Sequence, residues 1–115
     1  MTILIIATAV LELLAGAGAF LSPTVFPDFK ESPSSTHSWI RMYGAAALAA
    51  GTFAILTYLS MEPVTIRVFL QTFMIFHLLV GIAAFMGYRK GDFKNPAVAI
   101  GHFIFLIATT YFYLA

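Results

Sequence analysis

Residues Glu62–Tyr88 read E-P-V-T-I-R-V-F-L-Q-T-F-M-I-F-H-L-L-V-G-I-A-A-F-M-G-Y. A helix rises ~1.5 Å per residue and the hydrocarbon core of a bilayer is ~30 Å thick, so ~20 such residues cross it. Yet the run carries Arg67, Gln71 and His77. At ~100° per residue, Arg67, Gln71, Met74, His77, Gly81 and Tyr88 fall within about a third of the helix circumference. Val, Ile, Phe and Leu dominate the rest. One face avoids lipid and the others accept it, so other helices must supply what the polar face needs.

The whole chain follows the same rule. Of its 115 residues, 61% are hydrophobic and 10% charged, where a soluble domain carries about 25% charged residues. This composition predicts an integral membrane protein of a single domain spanning 1–115. The net charge is +1 and no basic cluster is large enough for nucleic acid. The chain has no cysteine, which excludes disulfides, thiolate metal sites and cysteine nucleophiles.

Before the central run lie two others. Residues 2–21 resemble a secretory signal in their Ala-Gly-Ala repeats, but no basic residue precedes the run and Glu12 sits in its middle. A retained transmembrane helix is expected. The loop 22–38 holds Pro23, Pro27, Pro33 and a Ser-Ser-Thr cluster, all turn and breaker chemistry. His37 is expected there in solvent, and Ser38 is expected to cap the next helix. Residues 39–60 form the second run, opened by the interfacial aromatics Trp39 and Tyr43. Its segment Gly44–Gly51 is nearly all small residues, which permits close helix approach.

Met61-Glu62 is a short turn before Pro63, a good first helical residue. The third helix is expected over 63–88. Asn95-Pro96 signals the start of the fourth, over 96–114. The fold expected is all-α, four antiparallel transmembrane helices in one bundle. Lys30, Arg89, Lys90 and Lys94 lie in the loops 22–38 and 88–95, with Arg41 close by. The positive-inside rule therefore places both loops in the cytoplasm and both termini outside.

Each run has a face that gathers its polar or small residues. These are Thr8, Ala9, Glu12, Ala15, Gly16 and Ala19 on the first, and Arg41, Gly44, Ala45, Leu48 and Thr52 on the second. On the fourth they are Asn95, Val98, Ala99, His102, Leu106, Thr109 and Tyr113. Glu12 is nine residues from Leu21, His77 ten from Gly87, and His102 seven from Asn95. That sets them ~14, ~15 and ~10 Å deep, near mid-membrane. An isolated charge there costs ~2.5–3.5 kcal/mol, so Glu12 needs a proton, a partner or a metal.

The plain reading of Glu12, His77 and His102 is hydrogen bonding across helices that fixes their register. Three sharper readings stand beside it. One is a proton-transfer or ligand pocket built on these residues, with Arg41, Arg67 and Gln71 as further ligand-binding candidates. The second is a divalent metal site of two imidazoles and a carboxylate, although no H-x-x-x-H or E-x-x-H pair supports it. The third is haem with His77 and His102 as axial ligands, strained by a depth difference of ~5 Å. Phe69, Phe73, Phe76, Phe103, Phe105 and Tyr111 read as lipid-facing surface and packing.

The first half also carries L-L-A-G-A-G-A-F-L-S-P, Leu13 to Pro23, and R-M-Y-G-A-A-A-L-A-A-G, Arg41 to Gly51. In these the chain resembles the DoxX-like group of small four-helix membrane proteins. The resemblance implies a four-helix fold and, in some members, an accessory role beside a membrane oxidoreductase. It implies no catalytic residue, and no matching motif is found in the second half. The function expected first is a non-enzymatic accessory or scaffold subunit in the lipid bilayer, packing against other membrane proteins or itself. The alternatives are an enzyme or carrier for a lipophilic small molecule such as a quinone or lipid, and a haem- or metal-binding redox module.

Overall fold

Apolar runs of this length have one good solution, since a helix satisfies its backbone polar groups within itself where water cannot. The computed structural model describes residues 1–115. It contains α1 (Thr2–Leu21), α2 (Ser34–Ser60), α3 (Pro63–Lys90) and α4 (Ala97–Leu114), with 3₁₀ turns at Pro23–Val25 and Pro27–Phe29 and no strand. The helices hold 20, 27, 28 and 18 residues, each long and apolar enough to cross a membrane. They form two compact units, Thr2–Leu59 and Ser60–Ala115.

The first unit is an antiparallel hairpin of α1 and α2 closed on glycine. A Cβ on Gly16 would lie 2.8 Å from the Leu48 nitrogen, one on Gly44 2.5 Å from the Phe20 nitrogen, and one on Gly51 2.7 Å from Leu13 Cγ. The small-residue segment is thus the tight contact, as expected. The buried face of α2 is Ile40, Gly44, Ala47, Gly51, Ala54 and Thr57. This corrects the expected face, because Arg41, Ala45 and Thr52 are exposed. Packing selects the residues that allow the closest approach, and Thr52 needs no partner helix since its hydroxyl donates to the Leu48 carbonyl (2.8 Å).

α2 also begins at Ser34, five residues before the apolar run starts. Ser38 therefore lies inside the helix and donates to the Ser34 carbonyl (3.3 Å) instead of capping. His37 is not free in a loop. It sits in the first turn and its Nε2 donates to the Phe29 carbonyl (2.9 Å), tying the helix to the second 3₁₀ turn. Apolar periodicity cannot reveal a helical turn built of polar residues.

The second unit is an antiparallel hairpin of α3 and α4. The helix α3 runs to Lys90, two residues past the expected end, and Gly91 closes it in the left-handed conformation (φ 87°). The Asn95 side-chain carbonyl accepts from the Ala97 N–H (3.0 Å) and opens α4. The buried face of α3 is Phe69, Leu70, Phe73, His77, Gly81, Ala84 and Gly87. The expected face is corrected here too, because Arg67, Gln71 and Tyr88 are exposed. They sit toward the helix ends, where long polar side chains reach water and large aromatics take the interior.

Candidate functional site

The two histidines meet inside the α3–α4 hairpin. Gly81 leaves room for the Phe103 ring, which a Cβ there would approach to 2.9 Å. That close approach brings α4 against α3 and turns His102, one residue earlier, toward His77. The two Nδ1 atoms are 2.9 Å apart, a buried hydrogen bond. His77 is 0% exposed and His102 6%. The expected depth difference of ~5 Å is therefore corrected. Phe93 packs back onto Gly87, so the connection descends beside the last turn of α3 and α4 starts deeper than a count from the loop suggests.

An aromatic shell encloses the pair. The His77 ring centroid lies 5.5 Å from Phe73, 5.4 Å from Phe76 and 5.2 Å from Phe105, and His102 lies 6.0 Å from Phe76. None of these side chains offers a competing donor or acceptor, and a low dielectric strengthens the one bond present. The direct contact of the rings leaves no gap between them for a porphyrin.

The chemistry of the bond is set by the imidazole inventory. A neutral imidazole has one N–H and one lone pair. In an Nδ1–Nδ1 bond one ring carries its hydrogen on Nδ1 and a bare lone pair on Nε2. The other carries its hydrogen on Nε2. Moving the shared hydrogen across the bond, with tautomer exchange at the outer nitrogens, reverses the two roles. Meanwhile His77 Nε2 is buried with no hydrogen-bond partner.

In the other unit, Thr8, Glu12, Gly16 and Ala19 form one buried stripe of α1. Glu12 is 1% exposed, and neither of its carboxylate oxygens has a hydrogen-bond partner. The Thr8 hydroxyl, one turn away, is also buried without a partner. Glu12 is the only carboxylate among the buried residues.

The remaining candidates take no part in the histidine pair. Gln71 Nε2 donates to the Tyr113 hydroxyl (3.0 Å), and the Arg67 guanidinium lies 5.7 Å from the Tyr113 ring centroid. They form a polar cluster near the α4 C-terminus. Arg41 is exposed on α2. Sequence reasoning gave Phe73, Phe76 and Phe105 to lipid or general packing. For Phe73 and Phe105 the offsets of four and three residues from the histidines were the available signal, because i+3 and i+4 residues share a helix face; Phe76, adjacent to His77, gave none.

No protein-family model, curated protein or solved structure matches this chain.

Proposed function

We propose that this is a multi-pass integral membrane protein that binds a lipophilic, proton-exchanging small molecule of the quinone class at His77 and His102. The observation that carries this is the buried Nδ1–Nδ1 bond with an unpartnered Nε2 on His77. Such a pair passes a proton without ever holding a net charge. A quinol hydroxyl gives its proton to the Nε2 lone pair of one ring. In the same concerted step the shared proton crosses to the second ring, whose own Nε2 proton passes to water or another base. A quinone carbonyl accepts a hydrogen bond from the reverse tautomer. Glu12, a buried carboxyl with unused oxygens, is a separate proton-bearing candidate within the α1–α2 hairpin.

The four helices are read as one bundle, with loops 22–38 and 88–95 cytoplasmic and both termini outside. The chain lacks cysteine, so single cysteines placed at Ser35 and Asp92 test this directly. An impermeant thiol reagent should label neither in intact cells and both in inverted vesicles. Labelling in intact cells reverses the orientation.

An accessory role beside a membrane oxidoreductase draws on the DoxX-like resemblance. It also rests on the small extramembrane portion, the lack of a recognised catalytic motif and the small-residue faces, and the last is weakened because Gly16, Gly44 and Gly51 are already buried within their own hairpin. The ligand reading is tested by titrating a short-chain quinone into the purified protein in lipid nanodiscs. Saturable binding, lost in His77→Gln and His102→Gln with helicity retained, is the expected result. Absent binding, or binding indifferent to both substitutions, refutes it.

A further inference from the structure

A hydrogen-bonded pair of nitrogen donors in a closed apolar shell has a second chemistry besides proton exchange. We propose that His77 and His102 also bind a borderline divalent transition metal of the zinc class. The ion replaces the shared proton between the two Nδ1 atoms and thereby blocks the relay. The consequence for the relay rests on the functional reading above. The binding itself rests on the geometry of the pair.

The distances suit such an ion. Tetrahedral zinc holds imidazole nitrogens at ~2.0–2.1 Å, which places two of them ~3.3 Å apart. The two Nδ1 atoms stand 2.9 Å apart. Opening by ~0.4 Å, with a small turn of each ring, therefore makes a chelate of a hydrogen bond. No proton need leave the pair. The hydrogen on Nδ1 of one ring moves to its own Nε2, so both rings present Nδ1 lone pairs and carry Nε2–H. Imidazole nitrogen selects zinc, copper, nickel or iron, whereas magnesium and calcium prefer oxygen.

Two imidazoles leave further positions on the ion and supply no negative charge. Water or a buffer anion fills them in the purified protein, as at zinc sites that keep an open position.

The test titrates Co²⁺, a spectroscopic stand-in for Zn²⁺, into chelator-stripped protein in detergent. The expected result is one ion per chain with the intense visible bands of four-coordinate cobalt. Losing an outer-shell partner typically costs 10–100-fold in metal affinity, so removal of a ligand in His77→Gln or His102→Gln should cost more than about 100-fold. The loop variant Glu31→Gln should leave binding unchanged. Absent bands overturn the proposal, as does affinity unaltered in both histidine variants.

X-ray absorption on the zinc-loaded native protein guards against misfolded variants. Two imidazole nitrogens should appear in the first shell, and fewer than two refute the site. If metal-free protein binds quinone and no cobalt, this inference alone fails. If it binds cobalt and no quinone, the metal site stands and the ligand reading fails.

Discussion

Replacing Gly44 with alanine should destabilise the α1–α2 hairpin even though alanine is the better helix former. The added Cβ would lie 2.5 Å from the Phe20 nitrogen, 2.9 Å from the Ala19 carbonyl carbon and 2.9 Å from the Gly16 oxygen. All three are backbone atoms, so no side chain can swing aside. Restoring ordinary contact at 3.4 Å requires the helices to part by about 0.9 Å at this point. A gap of ~0.5–1 Å forfeits a quarter to a half of each dispersion contact, and overpacking of this kind costs ~1–3 kcal/mol. The propensity gain from Gly to Ala is at most ~1 kcal/mol. The steric term therefore wins, by up to about 2 kcal/mol. Gly101 supplies the control, because nothing lies within 4 Å of a Cβ placed there. Gly101→Ala should keep the propensity gain alone. Unfolding by sodium dodecyl sulfate titration in mixed micelles, followed by circular dichroism, measures both. The reasoning is refuted if Gly44→Ala is as stable as Gly101→Ala.

The histidine bond makes a prediction about coupling. His77→Phe or His102→Phe alone leaves a buried imidazole nitrogen unpaired, at a cost of ~1–3 kcal/mol. The double variant should cost less than the sum of the two, with a coupling of at least ~0.5 kcal/mol in the same titration. Strict additivity would mean that the bond contributes nothing.

How much of this was legible in the sequence differs from element to element. The four helices were, because long apolar runs have no other way to satisfy their backbone. The tight α1–α2 contact was, because Gly44–Gly51 offers little but small side chains. The first turn of α2 was not, since S-S-T-H-S carries no apolar period. Helix rotation was half legible. His77, His102 and Glu12 turned inward as a shared polar face predicts, but Arg67, Gln71 and Arg41 did not. Long polar side chains near helix ends have a choice that short ones in mid-membrane lack. The meeting of His77 with His102 was hidden by the connection, where Phe93 folds back onto Gly87 and shifts the starting depth of α4.

The same pair argues against a purely structural role. Hydrogen bonds between membrane helices average only ~0.6 kcal/mol in double-mutant cycles. A buried nitrogen left unpaired costs ~1–3 kcal/mol. The pair has one bond on the credit side and the orphaned Nε2 of His77 on the other. On these magnitudes the pair costs the hairpin a net ~0.4–2.4 kcal/mol. Two leucines or phenylalanines would pack the same space without that penalty. Glu12 and Thr8 repeat the pattern in α1, each buried and each with oxygen atoms that no hydrogen bond satisfies. In the reading proposed above, polar groups whose capacity the fold leaves unused take their stabilising partner from outside the chain, and the atoms left over specify it. An imidazole nitrogen that donates or accepts, and a carboxyl that bears a proton or a metal, call for a ligand that exchanges protons or is itself a cation.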